Sequence, residues 1–349
     1  MVYVLITAIF VFLYGAKFAK SDEFNRDYIS KDSTGAINGI FVLLVFMCHI
    51  STYMSLGSPS DKIWTDFKSW MGQLVVVTFL FYSGYGMMCS VCRKGTGYVK
   101  GLFKNRFLSL FLHFDIAVLL FAITNLFIKR EYSLTDLLLA LTTWKAIGNS
   151  NWYITAMLCL YLLLIVSFLI FRKKKIPALC LMTVLTVALT YLFIKLGRPA
   201  YTYNTIILFP LGMWYAYFKE TIDKVVMKNN FTYILAVSVA MAALAVSQHY
   251  KSVGLIIYWI WAAAFMLMIV LVSMKLKIGN PILDSLGRHV FSIYILQRIP
   301  MSVFKYLGLT GNNMLYFCLC FAVTVLMALV FDKAMGKLDS VLFRSKKNA

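Results

Sequence analysis

Two polar side chains stand on one apolar stretch, and their types suit proton chemistry inside a membrane. The run 34–54 carries Asn38 near its start and His49 near its far end. Their separation returns to the same helix face after three turns, so the two sit on one wall about 16 Å apart. Polar and titratable groups at lipid depth are costly and mark functional positions. A neutral imidazole takes a proton from a hydroxyl, the step that acyl transfer to an alcohol requires. A packing histidine bonded to a neighbouring helix is the other reading of His49.

Four further stretches carry chemistry. In 291–301, Gln297 and Arg298 lie mid-span, and Pro300 kinks the helix behind them. An arginine at that depth costs about 2.5–3.5 kcal/mol on insertion scales, which points to a ligand or an internal ion pair. In 74–88, Ser83 and Gly84 interrupt an aromatic span and let a helix or substrate tail approach closely. In 98–114, Lys100, Lys104 and Arg106 suit an anionic ligand such as a coenzyme A phosphate, and suit anionic lipid equally. His113 and Asp115 follow; Asp115 requires a partner, and Arg106 or Arg298 could serve. Trp152 and Tyr161 open the next span, where aromatic-belt anchoring explains them without a site.

The elements that must hold these residues are membrane helices. The 349 residues are 61% hydrophobic and 14% charged, with mean hydropathy +0.79, far outside a soluble domain. The net charge of +20 sits in short loops between apolar runs. It therefore reads as topology-setting charge near anionic headgroups rather than a nucleic-acid surface. The 7 cysteines lie in or beside apolar runs; Cys89 and Cys92 lack a second pair or histidine cluster, so neither a zinc site nor a disulfide framework is implied.

Eleven spans are predicted, at about 2–19, 35–54, 70–91, 107–128, 152–171, 176–194, 203–218, 231–248, 253–273, 289–308 and 314–332. Basic residues alternate between connections: Lys17 to Lys31, Arg93 to Arg106, Arg172 to Lys175, Lys219 to Lys228, Lys275 to Arg288, then a tail with Lys333, Lys337, Arg344, Lys346 and Lys347. The intervening loops are poorer, which predicts an outer N-terminus and a cytoplasmic C-terminus. Ser133 three residues before Asp136 is a capping-box start, so a short amphipathic helix is expected in the outer loop 129–151.

The order of these motifs resembles the acyltransferase 3 family, integral membrane enzymes that acylate surface glycans. Asn38 to His49 is similar to the family's opening helix, which usually carries arginine, ten residues, then histidine; here Asn38 stands at the arginine position. Residues 77–84 resemble its aromatic, serine and glycine span, and 103–106 its basic motif. Trp152 with Tyr161, and 292–296 including Tyr294, resemble its later motifs; Gln297 sits where a second histidine is often found.

The resemblance implies an all-α polytopic fold: a ten-helix acyltransferase-type bundle at 30–332, preceded by an extra transmembrane anchor and linker at 1–29 and followed by a basic cytoplasmic tail at 333–349. It implies acetyl transfer from acetyl-CoA, a co-substrate, to a hydroxyl of a surface or lipid-linked glycan in a bacterial cytoplasmic membrane. No permanently bound cofactor, no metal and no nucleic-acid partner are expected; membrane lipids are. His49 would be the base. Asn38, Lys104, Arg106 and Arg298 would bind the donor, and Ser83, Asp115, His113, Trp152, Tyr161, Tyr294 and Gln297 would line the cavity. A transporter, a flippase or a non-catalytic sensor is the competing class, although no inverted repeat is detected.

Overall fold

Helix starts follow the capping chemistry written in the chain. The computed structural model describes residues 1–343; the tail residues Arg344, Lys346 and Lys347 lie outside them. After α1 (Val2–Leu13), Ser30 opens α2 (Lys31–Ile50) by accepting from the Ser33 amide. The chain continues through α3 (Pro59–Met71), α4 (Val77–Lys94), α5 (Thr96–Leu102), α6 (Ser109–Phe127) and α7 (Leu134–Leu141). Next come α8 (Trp152–Phe171), α9 (Lys175–Lys195), α10 (Leu208–Val226), α11 (Asn230–Tyr250) and α12 (Leu255–Lys275). Asn280 then caps α13 (Pro281–Arg288), which leads into α14 (Val290–Leu296) and α15 (Arg298–Tyr306). Asn312 caps α16 (Asn313–Leu342). A short antiparallel ladder pairs β1 (Lys17–Phe18) with β2 (Leu276–Lys277). The Ser133–Asp136 capping box forms at the start of α7, as the sequence predicts.

Among the described residues, 8 helical segments are long and apolar enough to cross a membrane. The other three of the eleven predicted spans differ for distinct reasons. The helix predicted over 2–19 stops at Leu13 and rises about 18 Å, short of a hydrocarbon thickness of about 30 Å. Helix α10 ends in a charged turn holding Lys219, Glu220, Asp223 and Lys224. The segment over 289–308 is split at Gln297 into α14 and α15. Pro300 has no amide proton, so the Leu296 carbonyl loses its usual helical donor and the helix breaks.

Contacts between connecting segments gather at two ends of the bundle. At one end, Lys275 donates to the carbonyls of Ser21 and Glu23, Asn230 donates to Asp22, and the Tyr28 hydroxyl donates to Asp223 at 2.7 Å. At the other, Asn313 donates to the Ser55 carbonyl, Arg198 to the Trp144 carbonyl, and Lys305 lies over the Tyr53 ring. Burial pushes the Tyr28 phenol far above its ordinary value.

Close helix crossings fix the centre. A Cβ on Gly84 would sit 1.9 Å from the Phe209 carbonyl oxygen, and one on Gly212 would sit 2.0 Å from that of Phe81. Only a missing side chain on both helices of this crossing lets the α4 and α10 backbones touch, the approach predicted at Ser83–Gly84. Around α2, Phe46, Met47 and Ile50 are fully buried with Trp64, Phe114, Phe209 and Trp261. Apolar side chains on α9, α11 and α16, among them Val184, Phe231, Val239 and Val330, face outward, as contact with hydrocarbon requires.

Candidate active site

Helix α2 is shared by two separate cavities, and the two residues singled out on it fall into different ones. Asn38 lines a cavity of about 460 Å³ together with Phe79, Ser83, Arg106, Tyr153, Tyr161 and Tyr294. His49 lines a second of about 600 Å³ with Arg298, Arg130, Asn149, Ser150, Trp152 and Tyr201. Because α2 is regular across both residues, they stand about 16 Å apart along its axis.

The first cavity, here called the inner one, lies toward the end where the basic loops gather. Its walls are aromatic and aliphatic, with few polar groups. Asn38 Oδ1 is buried there and finds no hydrogen-bond partner among the described residues. Arg106 also borders an adjoining cleft of about 320 Å³ with Lys94, Tyr98 and Asn105. It sits in a π-helical stretch, Phe103–Leu108, that joins α5 to α6. Wider turns of this type recur at functional sites because they displace side chains from the regular helical phase.

The outer cavity is polar. Its floor is the loop between α7 and α8, which is held from several sides. The Asn125 side chain donates to the Ile147 carbonyl at 2.6 Å, Ile147 donates to Asn149 Oδ1 at 3.0 Å, and Asn151 donates to the Thr143 carbonyl at 2.7 Å. Gly148 adopts φ +122°, and a Cβ there would meet Arg130 Nη1 at 3.1 Å, so this glycine lets the guanidinium lie against the loop. Arg298 Nε donates to Ser150 Oγ at 3.0 Å. Lys68 donates to Ser51 Oγ at 2.8 Å, just past the end of α2.

A tyrosine pair stands between the cavities. Tyr153 and Tyr294 meet edge to face, with ring centroids 5.7 Å apart. Tyr294 in turn approaches the His49 ring, with centroids 6.2 Å apart. The Tyr294 hydroxyl and His49 Nδ1 are both buried without a hydrogen-bond partner among the described residues. Gln297, fully buried at the break between α14 and α15, donates from Nε2 to the Tyr294 carbonyl at 2.9 Å, which ties the broken helix to this point.

The structure therefore divides the predicted residues. Asn38, Ser83, Arg106, Tyr161 and Tyr294 share the inner cavity, whereas His49, Trp152 and Arg298 share the outer one. Arg298 is thus apart from Arg106. Lys104 is exposed and lines neither cavity. His113 faces away and binds Asp339 at 2.9 Å, alongside Ser109. Asp115 pairs with neither Arg106 nor Arg298, and its Oδ1 has no partner among the described residues. Sequence reasoning missed Arg130, Asn149, Ser150, Tyr201 and Lys68, and read Tyr153 beside Trp152 as an aromatic-belt anchor. The polar run Gly148-Asn149-Ser150-Asn151 between two apolar stretches was the available signal for the outer floor.

A family model described as an acyltransferase domain matches residues 36–333. The chain belongs to the acyltransferase 3 family. As a member of it, this protein is a membrane acyltransferase, and the matched region runs from just before Asn38 to just after Asp332. Compared with curated proteins and with solved structures, the chain matches none.

Proposed function

We propose that this acyltransferase moves acetyl from acetyl-CoA, taken at the cytoplasmic face, to a hydroxyl of a cell-surface or lipid-linked glycan in a bacterial cytoplasmic membrane, with its N-terminus outside and its C-terminus in the cytoplasm. The observation that carries this reading is one helix serving two cavities, with Asn38 in the inner and His49 in the outer. A donor and an acceptor that start on opposite sides of a membrane need two approaches to one reacting point. The tyrosine pair beside His49 marks that point.

In this reading Lys94 and Arg106 hold the coenzyme A phosphates by charge-assisted hydrogen bonds at the basic cleft. The pantetheine arm follows the apolar wall of Phe79, Met157 and Tyr161 toward Tyr294. His49 accepts the proton of the acceptor hydroxyl as its oxygen attacks the thioester carbonyl. A C–O bond forms and the C–S bond breaks. The imidazolium then returns its proton to the leaving thiolate, so the products are an O-acetyl ester and coenzyme A thiol. Arg298, which shares the cavity of His49, and the hydroxyl of Tyr294, whose ring lies 6.2 Å from the imidazole, stabilise the oxyanion as it forms.

The test is mass spectrometry of surface glycans from cells that carry the wild-type gene or the His49→Ala gene. The proposal requires the mass of one acetyl group to disappear from a glycan in the variant. An acetylation pattern identical in both strains would end it.

A further inference from the structure

Among the described residues, the lining of the outer cavity includes two arginines and an amide donor with no acid beside them, and that selects the charge of what it holds. Arg298 spends only its Nε, on Ser150, so its terminal guanidinium nitrogens remain to be satisfied. Arg130 makes no side-chain hydrogen bond and no ion pair among the described residues, yet it is seated against Gly148, where any Cβ would crowd its Nη1 at 3.1 Å. Asn149 is buried, its Oδ1 is used by the Ile147 amide, and its Nδ2 is left with no partner. Among the described residues, no aspartate or glutamate lines the cavity. Glu131 follows Arg130 in the chain but is exposed and outside the cavity lining, and Asp136 on α7 is held by Lys145. Two guanidinium groups and an amide donor thus share one chamber whose lining holds no carboxylate.

We infer that the acceptor carries an anionic group, a phosphate or a carboxylate, which Arg130, Arg298 and the Asn149 amide hold while its hydroxyl lies at His49. This rests on the acyl-transfer reading and names the substrate class for it. The chemistry argues for it in two ways. Arg298 lies part-buried within the bundle, where a charged side chain is costly unless an anion or another partner joins it. Guanidinium forks match the paired oxygens of phosphate and carboxylate better than any neutral hydroxyl does. The loop is pinned through Asn125 and Asn151, so Gly148 and the Asn149 amide are held in place beside Arg130 before the ligand arrives.

The experiment measures binding to the full-length protein in detergent, independently of turnover. Glucose 1-phosphate, glucuronate and methyl glucoside serve as the three probes, and the thermal transition with coenzyme A reports that the fold and the inner cavity are intact. The inference requires at least one anionic sugar to bind about tenfold or more tightly than methyl glucoside, with that preference shrinking as salt is raised. Arg130→Gln should erase the preference and Arg130→Lys should restore part of it, because lysine keeps the charge but loses the fork. The stronger of the two anionic probes distinguishes a phosphate-bearing from a carboxylate-bearing acceptor. Equal binding of all three sugars, binding of none while coenzyme A still binds, or a preference untouched by Arg130→Gln would each overturn it. Acetylation of a neutral glycan by the same protein would leave the enzyme standing and remove only the anionic class.

Discussion

The two cavities along α2 differ in what their walls offer. The inner is mostly hydrocarbon and aromatic ring with a single arginine at its mouth; the outer is mostly donors, with two arginines, an imidazole and a pinned polar loop. A shared helix therefore does not make a shared environment. The inner wall suits a flexible, largely apolar arm whose charges stay at the edge. The outer suits a hydrated molecule recognised by its oxygens. The same contrast separates the histidines. His113 and His289 each bind an aspartate on α16, Asp339 and Asp332 respectively, as structural histidines do. Among the described residues His49 has no carboxylate partner, and its Nδ1 is unsatisfied. A histidine not committed to an ion pair keeps a ring nitrogen available to a substrate in the cavity.

The contrast can be broken most severely at His49. His49→Ala should lower acyl transfer about a hundredfold or more, in line with the loss of a general base, while coenzyme A binding persists. Kinetics and binding on the same purified sample would check it; a loss of both would mean that the cavities are not separable. Next in size, Arg106→Gln should raise the KM for the acyl donor about tenfold or more with kcat little changed, since a hydrogen bond to a charged group contributes about 1.5–3 kcal/mol. The KM for the acceptor should not move. Tyr153→Ala should open the partition, and the expected readout is acetyl-CoA hydrolysis without acceptor, raised severalfold over wild type. Gly84→Ala should cost about 1–3 kcal/mol of stability by forcing α4 and α10 apart, seen as a lower thermal transition.

The smallest effect is expected at the rim. Lys145 holds the Asp136 carboxyl below its ordinary value of 3.8. A carboxylate with a lowered folded pKa adds stability above its unfolded pKa and loses it as pH falls through the folded one. The α7 cap should therefore be insensitive from neutral pH down to about 4 and weaken only below that. Asp136→Asn should leave transfer at neutral pH nearly unchanged, which activity and thermal scans at two pH values would check.

Much of this arrangement was legible in the chain. Apolar length, loop charge and capping residues located the long helices and the outer helix α7, because those signals are local. The α2 wall was legible from the spacing of Asn38 and His49 alone. What the sequence hid depends on which helices meet. Arg298 and Arg106 both read as donor ligands, because depth in the bundle is not written in a span's composition. Asp115 needed a partner on general grounds, yet none is found among the described residues. Arg130 looked like ordinary loop charge until Gly148 brought it against the outer floor. The twelve-residue α1 also read as longer, since the apolar run continues past the turn at Gly15, which has φ +75°.

The interruption at Gln297 has a mechanical consequence. A continuous helix is a stiff rod that transmits a tilt at one end to the other. Here the rod is cut beside the imidazole, with Pro300 withholding the bond that would splice it. The inward segment Val290–Leu296 and the outward segment Arg298–Tyr306 are two levers on one pivot. Arg298 belongs to the outer lever and Tyr294 to the inner, so the break lets each compartment's wall be positioned separately around the point where they meet.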